Sequence, residues 1–475
     1  MFTIRGKLAT FKGKLFAILL TSLIVRVFAY ILLPRQASHL APDEGVYSRL
    51  TDVIASGKPV DTSPFGESIY LISRAFILPA SMSTRIGFSS LDSVRLISTL
   101  YGFLVVAVVA FFLLRLSRKK RGVRNFIYHN EAKVLSLFAV FVFLPSHFIW
   151  STVGIRESAT EFWVIVVFAL VFYVYEVKTQ ISKFALLGVL LTIPLIFSSR
   201  PQVGWLVGVT LLIYSFIRVR TALIVVPFIL VGIVLGYAVS NGFSIVKVET
   251  LVPHEKLLKS NSPSGTRPAV TSDKGVRSCK FEGQEIILSG VQYVCFKEVR
   301  KTISGLKNPG VALIDQTDGI PERSEANKVD ASSAIKTISC PRSGSSRLDD
   351  YFCIAYRAPY TTYTFLVRPT LGADVTSSSS LFAAIENTFW LGAFLFVILV
   401  FIRNRRLAFL GALTPSLLFF SLYSVGAGAY EGNMGTAFRH KSLILWVVIL
   451  LLASTIAATQ QRKAEQQEIS GSSQE

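Results

Sequence analysis

The run Ser93–Arg121, SVRLISTLYGFLVVAVVAFFLLRLSRKKR, decides the fold. Residues 93–114 carry a single charge, Arg95, and then the basic cluster Arg118-Lys119-Lys120-Arg121 follows at once. Crossing the ~30 Å hydrocarbon core takes about 20 mostly apolar residues in a helix, because each backbone N–H and C=O must find its partner within the segment. Basic residues crowded at one end mark the side retained in the cytoplasm. Working outward, the same pattern predicts spans near 14–33, 134–150, 159–175, 184–198, 202–217, 221–240, 382–402, 407–424 and 442–459, ten in all. Arg200-Pro201 divides one long apolar stretch into the fifth and sixth of them. The whole chain of 475 residues is 51% hydrophobic and 16% charged, with a mean hydropathy of +0.53. That balance excludes a soluble enzyme, a disordered chain and a coiled coil. The expected class is an all-α polytopic membrane protein.

The formal charge of +20 would by itself suggest a polyanionic partner. Its distribution points elsewhere. With the N-terminus inside and the spans alternating, the inner segments 1–14, 115–133, 176–183, 218–220, 403–406 and 460–475 hold +15 of it. The runs Arg118–Arg121 and Arg403-Asn404-Arg405-Arg406 are thus orientation signals, and no aromatic residues interleave them as a single-strand nucleic-acid platform would require. Both termini are expected inside. No small-residue cleavage site follows Leu33, so the first apolar run is expected to be retained. A shorter segment, Ile69–Met82, broken by Arg74 and Pro79, predicts an interfacial helix within 65–90.

This topology divides the chain into an N-terminal membrane domain (1–240), an extracytoplasmic insert (241–381), C-terminal membrane helices (382–459) and a polar cytoplasmic tail (460–475). All four cysteines, Cys279, Cys295, Cys340 and Cys353, fall in the insert. An even number confined to an oxidising compartment reads as two disulfides, 279 with 295 and 340 with 353 being the first of three connectivities. Spacings of 16 and 13 residues lack the close pairs of a zinc site. Alternation in Glu285–Val299 predicts a short β hairpin or two.

Ionisable residues at or within spans are costly and tend to be functional or paired. Most of them gather at the outer face: Asp43 and Glu44 after span one, Arg156, Glu157 and Glu161 at the third turn, Arg200 at the fifth, and Arg439, His440 and Lys441 before the last span. Arg26 lies deeper, eight residues below Pro34, or roughly 12 Å at 1.5 Å per residue.

A first span containing Arg26, followed by Pro42-Asp43-Glu44-Gly45-Val46-Tyr47, resembles the GT-C glycosyltransferases. These include the dolichyl-phosphate-mannose–protein mannosyltransferases and bacterial relatives that use polyprenyl-phosphate sugars. Pro64, Ile69-Tyr70 and Arg95 continue the likeness, which covers about residues 14–217. It implies Asp43 as catalytic carboxylate with Glu44 supporting, and outer-face arginines, Arg200 and Arg439 with His440, on the lipid phosphate. Tyr47 joins the donor site on the same ground. A base must deprotonate the acceptor hydroxyl, and guanidinium groups suit a departing phosphate. Two features depart from the mannosyltransferases: Glu157 where an Asp is usual, and the ending Gly432-Asn433-Met434-Gly435-Thr436-Ala437-Phe438-Arg439-His440-Lys441.

Each assignment has a structural alternative. Asp43 and Glu44 are also favourable at a solvated helix N-terminus. Glu157 serves as second carboxylate, or as an ion-pair partner of Arg156 or Arg200. Arg200 contacts phosphate or snorkels to the interface. Arg26 pairs with Asp43 or Glu44, or reaches a lipid phosphate. Arg74 and Arg95 anchor at headgroups, and Thr436 caps the last span. The chain has no nucleotide-binding glycine motif, and its carboxylates neither require nor exclude a divalent ion, so no cofactor is expected. The expected partners are a polyprenyl-phosphate sugar donor, membrane lipids and a glycan, lipid or protein acceptor, at the outer face of the cytoplasmic membrane. A polymerase or ligase using lipid-diphosphate donors, a transporter or flippase for lipid-linked sugars, and a non-catalytic assembly component are the competing functions. The leading mechanism requires Asp43, Glu157, Arg200 and Arg439 to converge.

Overall fold

The computed structural model describes residues 2–33, 42–57, 69–119, 131–176, 181–217, 219–241, 285–288, 291–295, 313–315, 347–372, 374–375, 378–403, 414–430 and 437–452. The order is α1 (Phe2–Leu32), α2 (Pro42–Ala55), α3 (Arg74–Arg85), α4 (Ser90–Lys119), α5 (Glu131–Phe143), α6 (Pro145–Thr152), α7 (Glu157–Glu176), α8 (Ile181–Phe197), α9 (Pro201–Ile217) and α10 (Val219–Ser240). Then come β1 (Glu285–Leu288), β2 (Val291–Cys295), β3 (Leu313–Asp315), α11 (Arg347–Val367), α12 (Ser378–Arg403), α13 (Thr414–Tyr430) and α14 (437–452). This is an all-α membrane protein with a small sheet. The alternation read in Glu285–Val299 forms the antiparallel hairpin β1–β2, in register Glu285 to Val294, and β3 adds to its second strand.

Fewer helices qualify as spans than the sequence suggests. Among the described residues, Phe11–Leu32, Ser90–Leu114 and Leu223–Ser240 are long and apolar enough to cross a bilayer. The pair α5–α6, bent by 43°, makes a fourth if counted as one. The count of ten is therefore corrected. Part of the reason is the placement of breakers: Pro145 divides 134–150, and Arg200-Pro201 leaves two helices too short to qualify alone. The expected spans 407–424 and 442–459 lie partly outside the described residues. Lys183–Phe197, Pro201–Ile217, Leu381–Phe396 and Pro415–Gly428 are apolar but short.

The outward faces fit a lipid solvent. On α1, Phe16, Leu20, Ile24 and Phe28 repeat at four-residue spacing and are all exposed, as are Leu223 and Val234 on α10. In water a stripe of this length would be an aggregation face; against acyl chains it is the solvent-facing side. The interior is packed with aromatics. Phe168 of α7 meets Phe419 of α13 and Trp446 of α14 at centroid distances of 5.3 and 5.6 Å. A second apolar cluster, Tyr47, Phe76, Ile77, Val94, Tyr101 and Ile155, joins α2, α3, α4 and the turn before α7.

The helix expected within 65–90 forms as the shorter α3, with Phe76, Ile77 and Ala80 inward and Met82 outward. Its first turn is tied to the end of α8 by the Ala75 N–H on the Ser198 carbonyl, at 3.3 Å. The disulfide reading lies outside the described residues: Cys279 and Cys340 are not among them, and only the backbone of Cys295 and Cys353 is described. Thr436, Arg405, Arg406 and the tail 460–475 also lie outside them.

Candidate functional site: an arginine–carboxylate cluster at converging helix ends

Three helix N-termini and the first described residues of α14 come together at one place. Asp43 and Glu44 occupy the first turn of α2, Glu157 opens α7, Arg200 immediately precedes α9, and Arg439 and His440 lie at the near end of α14. Each N-terminus presents unpaired N–H groups and the positive end of its dipole, so carboxylates and anions are favoured here. Proline contributes at Pro42 and Pro201, where its missing N–H costs nothing.

Asp43, Glu157, Arg200 and Arg439 come together here. Arg439 Nη2 lies 2.9 Å from Asp43 Oδ2, and its Nε lies 3.2 Å from Glu157 Oε1. Arg200 Nη2 donates to the same Glu157 Oε1 at 2.7 Å, and His440 Nε2 is 3.7 Å from it. Exposure separates the two acids: the Asp43 side chain is 28% accessible and that of Glu157 only 1%. Asp43 is open to solvent; Glu157 is the buried hub that sets the arginines. Three guanidiniums, Arg156, Arg200 and Arg439, act on these two carboxylates, which leaves an excess of one positive charge.

Burial alone would push the Glu157 carboxyl up, but Arg439, Arg200 and His440 outweigh it and hold the group well below the usual carboxylate range. A carboxyl depressed by folding adds stability above its unfolded value and loses it only as pH falls through its folded value. Glu157→Gln is therefore expected to melt below the wild type by an undiminished margin from neutrality to about pH 5, the difference closing only in stronger acid. Thermal unfolding across pH in detergent measures this.

Glu44 takes a different role from the one the resemblance implies. It is fully buried and accepts a bidentate pair from Arg95, Nε at 2.6 Å and Nη2 at 3.0 Å, plus the Gly154 N–H at 3.0 Å. A Cβ at Gly154 would meet Val94 Cγ2 at 2.6 Å and Glu44 Oε1 at 3.1 Å, so only glycine permits this approach. Arg95 is accordingly not a headgroup anchor but an interior strut joining α2, α4 and the α6–α7 turn. Tyr47 is also buried, edge-on to Phe76 at 5.5 Å and 5.9 Å from the Arg156 guanidinium. Burial pushes its hydroxyl up to about 12, so it stays protonated. Arg156 does not pair with Glu157 directly; its Nη1 donates to the Ile72 carbonyl at 3.0 Å and Ser73 Oγ at 2.9 Å, holding the segment before α3. Arg74 lies over the Tyr70 ring at 5.1 Å.

Arg26 pairs with neither Asp43 nor Glu44. It is fully buried, bonded to Ser22 Oγ and to the Val142 carbonyl at 3.3 Å, with the Phe148 ring at 5.4 Å. The cause is length: six residues inside the end of α1, it faces the α5–α6 bend rather than the loop beyond. The carboxylate that acts on it is Glu161.

Lys441, expected among the outer-face charges, is a buried tether. Its Nζ donates to the carbonyls of Leu366 (3.1 Å) and Arg368 and to Asn387 Oδ1 at 2.6 Å. Asn387 Nδ2 in turn donates to the carbonyls of Val367 and Pro369. Together they satisfy four successive carbonyls at the end of α11, which water would otherwise have to reach. Two residues away, Arg439 inherits this anchorage. Lys441→Met strands those acceptors at about 1–3 kcal/mol each before relaxation. It is expected to lower stability by about 3 kcal/mol, read as a depressed melting temperature.

No family model matches the chain. Neither a curated protein nor a solved structure matches it either. What the site does is thus argued from its own geometry. Among the described residues, no group of three or more His, Cys, Asp or Glu side chains is arranged to hold a metal ion.

Proposed function

We propose that this chain is an integral membrane glycosyltransferase, GT-C-like, that takes a sugar from a polyprenyl-phosphate donor. Transfer is to a glycan, lipid or protein acceptor at the outer face of the cytoplasmic membrane, in cell-surface polysaccharide or glycoconjugate synthesis. In this reading the N-terminus and C-terminus lie inside and the insert 241–381 outside. The supporting observation is the cluster in which one accessible carboxylate, Asp43, meets Arg439, and Arg439 shares Glu157 with Arg200, at converging helix ends of an apolar bundle. Asp43 takes the acceptor hydroxyl proton as that oxygen bonds to the anomeric carbon. The bond from the anomeric carbon to the phosphate oxygen breaks, and the arginines hold the departing polyprenyl phosphate. Inversion at the anomeric carbon follows from this single displacement.

The single surplus positive charge matches the one negative charge of a phosphodiester donor better than the two of a diphosphate, which favours this donor over the polymerase or ligase reading. The test supplies the reconstituted protein with radiolabelled polyprenyl-phosphate hexoses and, separately, polyprenyl-diphosphate sugars. Transfer from the monophosphate donors alone is expected; use of the diphosphate donors alone would overturn the assignment.

A transporter for lipid-linked sugars is the second reading, and one observation favours it: ionisable side chains buried inside the bundle as well as at its end. Lipid-linked sugar crossing vesicles without transfer would establish it.

A further inference from the structure

One helical turn below Glu157, a second ionisable cluster lies within the helices. Glu161 of α7, His147 of α6, Arg26 of α1 and Glu386 of α12 are all buried. Each lies four to six residues inside the end of its helix or apolar run, hence in one layer roughly 6–9 Å below the upper cluster. The bend at Leu144-Pro145 makes the layer possible. It starts α6 inside the bundle, so Ser146 offers a first-turn N–H to Glu386 Oε2 at 2.8 Å, together with its hydroxyl. The Trp390 indole N–H adds a third donor to Glu386 at 3.2 Å. That carboxylate is satisfied.

The His147–Glu161 pair is not. His147 Nδ1 lies 3.4 Å from Glu161 Oε2, with both side chains at least 97% buried. Neither ring nitrogen makes a hydrogen bond, nor does Glu161 Oε1. The ring is held by stacking on Phe141, centroids 4.7 Å apart at 20°. A purely structural histidine at this depth would have its N–H satisfied, because an unmade hydrogen bond is expensive where no water reaches.

The charged surroundings come from every neighbouring element. Arg26 of α1 acts on Glu161, and Lys441 of α14 acts on Glu386. From α5 come only the Phe141 ring and the Val142 carbonyl. From α4, Ser98 bonds Ser158 at 2.9 Å, and Arg95 is paired with Glu44. The two cations offset the two carboxylates, so the imidazole is the member whose charge no partner fixes.

We propose that His147 and Glu161 form an intramembrane proton-binding site. One proton is exchanged with the aqueous phase and held between Nδ1 and Oε2, turning the 3.4 Å contact into a charge-assisted hydrogen bond. Glu386 stabilises the protonated form from the other side. Occupancy draws α6 and α7 together directly beneath Glu157, and release leaves the carboxylate opposed only by Arg26. The site stands apart from the sugar-transfer reading and serves an enzyme or a proton-coupled transporter equally.

Infrared difference spectroscopy across pH, on the full chain in lipid nanodiscs, tests it without any transfer assay. A pH-dependent carboxyl and imidazole signal is expected in the wild type, lost in both His147→Gln and Glu161→Gln. In Glu386→Gln the signal should persist with proton binding about tenfold weaker, one pH unit lower at the midpoint. If a glutamine variant does not insert, Glu161→Asp keeps the acid at shorter reach and should move the midpoint. A wild type without the signal, a signal that survives both glutamine variants, or a midpoint unmoved in Glu161→Asp would overturn the proposal.

Discussion

Asp43→Asn is expected to reduce sugar transfer by a factor of about 10²–10⁴, the range for loss of a positioned general base. The substitution keeps the size of the side chain and one acceptor oxygen for Arg439, but removes the basic oxygen that a substrate hydroxyl would meet. Stability should change little, because Asp43 is 28% exposed and its ion pair is a single contact to a cation that Glu157 also holds. Expression, membrane insertion and melting temperature therefore serve as internal controls. The comparison with Glu157→Gln separates roles. That variant should lose stability and donor affinity together, since Arg200 and Arg439 both take their position from one buried oxygen. Asp43→Asn should bind donor with little change and fail in turnover. Near-normal turnover in Asp43→Asn would remove the base from the scheme and leave the cluster as an anion site alone.

How much of this was legible in the sequence differs by kind of residue. The apolar runs and the Arg200-Pro201 break follow from hydropathy and proline chemistry, and the structure keeps both, though fewer runs are long enough to cross alone. The convergence of Asp43, Glu157, Arg200 and Arg439 was legible because a chain expected to cross back and forth places every second turn on one side. What sequence position could not convey is rotation about the helix axis. Asp43 and Glu44 are adjacent, about 100° apart on α2, and that angle sends one to Arg439 at the opening and the other to Arg95 in the interior. For the same reason Arg95 looked like an anchor and Arg26 like a partner of the first loop. Glu386 carried a usable signal, an acid inside an apolar run, and His147 followed a proline that bends the helix.

The largest loss of stability is expected from Arg95→Leu. Glu44 would keep the Gly154 N–H as an acceptor contact but lose both guanidinium bonds, leaving a fully buried carboxylate without its cation. Breaking a buried pair from one side costs about 3–5 kcal/mol, because the remaining charge is uncompensated. Glu44→Leu should cost a similar amount by removing the carboxylate opposite the buried Arg95. The double variant Glu44→Leu with Arg95→Leu removes both charges and should recover much of the loss, since a buried ion pair is worth little more than well-packed apolar side chains. Thermal unfolding of the four proteins completes the cycle, and additive losses in the double variant would show that the pair is not an isolated unit. The functional consequence is separable. Arg95 and Glu44 join α2, on which Asp43 sits, to α4 and the turn that starts α7 at Glu157. The double variant should therefore be stable yet impaired in transfer, because the two carboxylates of the site would no longer be held in one register.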